Sequence, residues 1–241
     1  MLKVVLTVDV EGFISFSQGN PKWNYFEKFK GFINSVIKNY RYNQEGFKKV
    51  YKTIVREQFP ITFMLVGSQH TPKTKYPFID YGYHTLNHQP LTLISDNQLK
   101  KELKNIYNSV SITAPMWMVE DNNNPERIYQ EMLQQGYRIT VYRGTNNGLK
   151  HHHCNVISNI ENKYGMNCVR ISACFEGNSP QEHIKNILLD IKNNFNNDAV
   201  YLLSTHDFTH RNTYNLKQII KHLKKWQSEG LIEVKNLRGL L

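Results

Sequence analysis

Three short stretches of the chain carry side chains able to move protons or hold a metal ion. The first is Thr7-Val8-Asp9-Val10-Glu11-Gly12. Side chains alternate along an extended strand, so Asp9 and Glu11 share a face with Thr7 while Val8 and Val10 take the other. Two carboxylates at one strand end suit proton abstraction or metal ligation, and a solvated strand end is the bland alternative. The second stretch is Tyr83-His84-Thr85-Leu86-Asn87-His88. Its H-x3-H spacing brings both imidazoles to one ion if the segment is helical or tightly turned. An ion needs a third protein ligand and an open position, and a carboxylate of the first stretch would complete a set of two imidazoles and one carboxylate. The third is Leu203-Ser204-Thr205-His206 at the end of an apolar run, where the histidine is either a general acid or base or a satisfied core residue.

Elements of alternating type surround these stretches. Strand patterns cover 2–10, 61–66, 78–83, 138–142, 169–173, 199–204 and 231–234, and 112–119 reads as a strand or the loop after one. Helical spacing covers 45–58, 96–110 with Asp96 as N-cap, 125–135 with Pro125 in its first turn and Gly136 after it, 179–195 and 216–229. Seven or so strands alternating with helices predict an α/β fold, a distorted (β/α)7 barrel of parallel strands forming one domain over 1–241. Two segments exceed a minimal barrel. Residues 13–44 form a long insertion after the first strand, with Phe16, Trp23, Tyr25, Phe26, Tyr40 and Tyr42, and 144–167 is a polar loop containing His151-His152-His153. Both follow strand ends, where such folds build their sites. Packing of a small subdomain explains the aromatics equally well, and the histidine run reads as loop rather than as a catalytic metal site.

Composition narrows the function classes. With 241 residues and 40% hydrophobic content the chain can fill a sizeable core. No apolar run reaches membrane-spanning length, and mean hydropathy is -0.54, so an integral membrane protein is excluded. The net charge of +10 invites a nucleic-acid partner, but the lysines are scattered, so no nucleic acid is expected, and an anionic glycan or a peripherally met lipid-linked sugar fits the charge equally well. The N-terminus runs into the first strand without a leader pattern, which points to a cytoplasmic protein. Cys154, Cys168 and Cys174 lack metal-type spacing and suit a reducing compartment.

The order and context of these stretches resemble the polysaccharide deacetylase family, also called carbohydrate esterase family 4, over nearly the whole chain. The resemblance is carried by Ile61 to Gly67, Gly82 to His88 followed by Leu91-Thr92, Ala114-Pro115-Met116-Trp117, Gly136-Tyr137-Arg138 and Leu203 to His206. It implies a barrel enzyme that removes N-acetyl groups from sugars with one divalent metal, zinc first, with cobalt, nickel, iron or manganese also admitted by such ligands. It further implies Asp9 as catalytic base, Glu11, His84 and His88 as metal ligands, and His206 as acid. A backbone N–H near Met116 or Trp117 would steady the oxyanion, and the Trp117 ring would stack on a sugar or pack the barrel wall.

Two departures stand out. Val10 separates acids that the family usually places side by side, which leaves open whether Asp9 or Glu11 binds the metal. Thr113 stands where the family carries an arginine paired with the catalytic aspartate, and Arg143 is the candidate to supply that charge from another strand. Two rival readings remain: a metal-dependent amidase or esterase acting on a small molecule, and a glycan-binding barrel without turnover.

Overall fold

A computed structural model describes residues 1–11, 45–67, 76–120, 124–143, 157–210 and 212–241. The 13–44 aromatics, the histidine run 151–153 and Cys154 therefore lie outside the described residues, as does the side chain of Met116. No described helix is long and apolar enough to cross a membrane.

Seven parallel strands close into a barrel with helices between them. In spatial order they are β2 (Ile61–Leu65), β3 (Ile79–Tyr83), β4 (Ser111–Thr113), β5 (Ile139–Tyr142), β7 (Met166–Cys174), β8 (Val200–His206) and β1 (Leu2–Val10), and β1 pairs back onto β2. The expected distorted (β/α)7 barrel is present, and its distortion has a specific place. One edge of β1 is shared. Leu2 to Val5 pair with β9 (Ile232–Lys235), whereas Thr7 to Val10 pair with β2. A short strand β6 (Glu161–Lys163) runs antiparallel to β7, and nothing in the sequence reading announced that hairpin.

Strand alternation sorts the side chains into layers. Val5, Met64, Ile139, Val141, Val169, Ile171 and Leu202 fill the barrel interior, joined by Leu237 from the C-terminal turn Leu237–Leu240. The residues between them, Val4, Leu6, Val8 and Val10 on β1 and Phe63 on β2, face outward onto helices. Those helices are α1 (45–57), α4 (Gln181–Asn193) and α5 (Tyr214–Ser228). On α5 the buried Leu216, Ile219, Ile220 and Leu223 recur at helical spacing, and each such side chain contributes about 2 kcal/mol on burial. A second outer layer packs α2 (Asp96–Glu102) and α3 (Pro125–Gln134) against β4.

The sequence expectation of a helix over 96–110 is too long, and its cap is Ser95 rather than Asp96. The Ser95 N–H and hydroxyl both donate to Gln98 Oε1 at 3.1 Å, and α2 ends at Glu102. Tertiary demand accompanies the early stop: the Glu102 carbonyl, which a longer helix would pair with residue 106, accepts from Leu86 N–H of the turn that carries the two histidines.

Candidate active site

The C-terminal strand ends bring the predicted residues together. β1 and β8 pair in parallel with Asp9 opposite His206, so the two side chains emerge on the same face of neighbouring strands. Glu11 follows one residue beyond β1, and its own N–H donates to Asp207 Oδ1 at 3.3 Å.

His84 and His88 come from a tight turn rather than a helix. Thr85 and His88 have positive φ values of 62° and 56°, which reverses the chain within five residues. Neighbours hold this strained turn. His84 N–H donates to the Leu65 carbonyl at 2.8 Å, and Leu86 N–H donates to the Glu102 carbonyl at 2.9 Å. Asn87 donates to both oxygens of the buried Glu102 carboxylate, at 2.8 and 2.7 Å. Gly67, with φ of 51°, closes against the same turn, and a Cβ there would come within 2.1 Å of the Leu86 carbonyl oxygen. The result sets the two imidazole rings 4.8 Å apart.

The groups converge on one oxygen. Glu11 Oε1 lies 3.3 Å from His88 Nε2, 3.4 Å from His206 Nε2 and 3.7 Å from His84 Nε2. Hydrogen bonding does not account for the assembly, because Asp9 Oδ1, His84 Nε2 and His88 Nε2 are buried without a hydrogen-bond partner. His84 is held from behind: its Nδ1 lies 2.8 Å from the Thr113 carbonyl, which can only accept. The Nδ1 therefore carries a proton and Nε2 faces the site; burial lowers the ring's affinity for a second proton, but Asp9 and Glu11 raise it above the ordinary value, so ligation through Nε2 requires release of that proton. Thr113, standing where the resembled family has its arginine, thus serves the site through its backbone.

Electrostatics divide the two acids. Burial pushes Asp9 above the ordinary aspartate range, opposed by His84 and His206, reinforced by Glu11, and opposed again by His88. Glu11 is held well below its usual range. Burial acts to raise it, but the charge of His206 and the imidazoles of His84 and His88 outweigh that cost. The strongest influences on Asp9 are thus burial, imidazoles and Glu11, and no guanidinium is among them. Arg143 sits at the end of β5, where its N–H donates to the Trp117 carbonyl at 3.3 Å and its carbonyl accepts from Arg170 Nε at 3.1 Å.

His206 is oriented by a residue that sequence reasoning missed. Its Nδ1 is 2.7 Å from Glu176 Oε1, and Glu176 Oε2 accepts from Thr209 Oγ1 at 2.6 Å. Burial lowers the affinity of His206 for a proton, but Glu11, Glu176 and Asp9 raise its pKa to about 10. Asp207, also missed, is pushed up to about 8 by burial and then by the nearby Glu11 charge. Glu176 lies two residues past a barrel strand and Asp207 directly follows His206, so position at a strand end was the available signal for both.

Met116 and Trp117 lie in the turn Pro115–Trp117 that follows β4. Trp117 adopts φ of 53°, uncommon for an aromatic residue, and its ring is buried in the interior cluster 6.0 Å from the His206 ring. Its contacts are those of wall packing beside His206.

By sequence, no family model and no curated protein matches the chain. A structure described as a polysaccharide deacetylase from Mycobacterium smegmatis superposes with a TM-score of 0.65 at 12% identity, covering 99% of this chain and 88% of the other. Its fold is the polysaccharide deacetylase fold. Puue allantoinase matches at a TM-score of 0.59 and 9% identity over 99% and 88% of the two chains. A family 4 acetyl xylan esterase from Clostridium thermocellum, in complex with a cobalt ion, matches at 0.51 and 13% identity over 99% and 89%. The deacetylase fold thus carries more than one hydrolytic chemistry, and the choice among them rests on the site itself.

Proposed function

We propose that the protein is a metal-dependent hydrolase that removes an N-acetyl group from an amino sugar, in a polysaccharide or in an intermediate of its synthesis. The observation that carries this reading is the gathering of three imidazole nitrogens around Glu11 Oε1 while His84 Nε2, His88 Nε2 and Asp9 Oδ1 lack hydrogen-bond partners. Buried polar atoms left in that state are costly unless something occupies the space between them.

The residues fit a divalent ion. One donor atom each from Glu11, His84 and His88 lies within 4.8 Å of the others. Ligands on a four-coordinate zinc with bonds of about 2.0–2.1 Å are spaced about 3.3 Å apart, close to the Glu11–His88 separation of 3.3 Å. Two imidazoles and a carboxylate leave an open coordination position, and zinc, cobalt, nickel, iron and manganese all accept such a set. A bound ion supplies Lewis acidity toward the acyl oxygen and lowers the pKa of water.

The chain supplies the rest. Glu11, His84 and His88 are the ligands, and Thr113 holds His84 in the ligating tautomer. Asp9, buried beside them and free of competing donors at Oδ1, takes the proton of the attacking water. The Trp117 N–H is already given to the Ala114 carbonyl at 2.9 Å, so the oxyanion contact falls to the Met116 N–H. His206 returns a proton to the leaving amine, and Glu176 keeps its ring in place as a positioning residue. The net charge of +10 favours an anionic glycan or a sugar carried on phosphate.

Acetate release tests the reading. Protein loaded with zinc or cobalt is incubated with N-acetylated oligosaccharides, sugar nucleotides and lipid-linked N-acetyl sugars, beside an Asp9→Asn variant. Acetate from at least one substrate, abolished in the variant, is the expected result. Turnover of a small cyclic amide in place of every sugar would overturn the substrate assignment, and no acetate from any of them would overturn the function.

A further inference from the structure

Behind His206 lies a second cluster of ligating atoms, of different chemistry. Cys174 closes β7 and His206 closes the adjacent β8, with Glu176 two residues beyond the cysteine. One donor atom each from Cys174, Glu176 and His206 lies within 4.8 Å of the others. Cys174 Sγ is 3.7 Å from Glu176 Oε1, and that oxygen is 2.7 Å from His206 Nδ1. The primary cluster offers only nitrogen and oxygen. Here the set includes sulfur, which selects softer ions.

We infer that Cys174, Glu176 and the Nδ1 face of His206 form a second, inhibitory site for a thiophilic divalent ion such as zinc or cadmium. A zinc bonded to sulfur at about 2.3 Å and to nitrogen and oxygen at about 2.0–2.1 Å spaces its ligands about 3.3–3.6 Å apart. The sulfur–oxygen separation already suits such an ion, and the Glu176–His206 pair must open by about half an ångström. The side chains of His206 and Glu176 are 19% and 16% exposed, so an ion and its water ligand can reach them. Binding displaces the thiol proton and the Nδ1 proton, so it strengthens as pH rises.

Inhibition follows from the shared histidine, and this step rests on His206 being the acid of the proposed reaction. An ion on Nδ1 breaks the bond to Glu176 and takes the lone pair that His206 needs to become imidazolium. The ring then keeps only the Nε2 proton of a neutral, ion-bound imidazole, and giving that proton to the amine would leave an imidazolate, so the imidazolium donor of the reaction is lost.

The test adds cadmium chloride to protein loaded with one equivalent of zinc, following thiolate-to-cadmium charge-transfer absorption and acetate release together. Wild type is expected to develop the band in step with its loss of activity. In Cys174→Ser the band disappears, and half-inhibition, measured against that variant's own uninhibited rate, needs at least ten times more cadmium. His84→Ala retains the band. A wild type without the band, or a Cys174→Ser variant inhibited at the wild-type concentration, overturns the proposal. The two readings fail separately. If His84→Ala holds as much zinc as wild type, the primary metal assignment falls while the band still decides the thiolate site, and absence of acetate with a cysteine-dependent band leaves the site and removes only its inhibitory role.

Discussion

Carboxylates are buried at both ends of the barrel, and the two ends treat them differently. At the N-terminal end Asp80 is fully accounted for. Its Oδ1 pairs with Arg238 Nε at 3.1 Å, and its Oδ2 accepts from Ser111 Oγ at 3.2 Å and Thr62 Oγ1 at 3.5 Å. That cluster ties β2, β3, β4 and the C-terminal turn together. At the C-terminal end, Asp9 Oδ1 and two imidazole nitrogens are equally buried and have no hydrogen-bond partner. Burial of charge therefore does not distinguish a structural cluster from the proposed active site. What distinguishes them is whether the protein itself supplies the partners.

The largest effect is expected at the C-terminal end. Asp9→Asn should lower kcat/KM on the order of a thousandfold, the contribution of a positioned proton acceptor, while the melting temperature of the metal-free protein holds or rises. The second half follows because the change replaces a buried carboxylate lacking a donor at Oδ1 by a neutral group of the same shape. Steady-state kinetics with thermal melts check both. A clear fall in stability would mean that Asp9 is satisfied in a way its surroundings do not show, and the contrast between the ends would collapse.

A smaller loss, about 10–100-fold, is expected for Glu176→Gln. The sign of its pH effect is fixed by His206. Glu176 is one of the charges that hold that ring protonated up to about 10, so removing it lowers the pKa and the acid form is lost sooner. The alkaline limb of the kcat profile should move to lower pH. An unmoved limb would show that Glu176 packs the site without tuning it.

Asp80→Asn should do the reverse of Asp9→Asn. The cost is about 1–3 kcal/mol in unfolding free energy, read by denaturant titration, with kcat/KM per folded molecule unchanged. A change in turnover would connect the two ends and blur the distinction.

Much of this was legible in the sequence, and the reason is local. Strand β1 reads directly from its alternating pattern, and the same alternation puts Asp9 and Glu11 on one side. The histidine spacing within 84–88 reads as a shared ligand pair, although the tight turn rather than a helix depends on Glu102, fifteen positions away from its partner Asn87. Glu176 escaped notice because its significance lies in a partner 30 positions away on the next strand. The wedge of β9 beside β1 was hidden for the same cause, since pairing partners lie at opposite ends of the chain. Helical propensity continues past Glu102 in the sequence, whereas the chain gives that residue's carbonyl to Leu86 N–H, a partner no local pattern reveals.

The most direct test of the central claim is the metal content of purified protein after exhaustive desalting. About one equivalent of divalent metal retained by wild type and by Asp80→Asn, and lost in both His84→Ala and His88→Ala, is the result expected of a site whose missing partner is an ion. Retention of the same metal by the two histidine variants would contradict it.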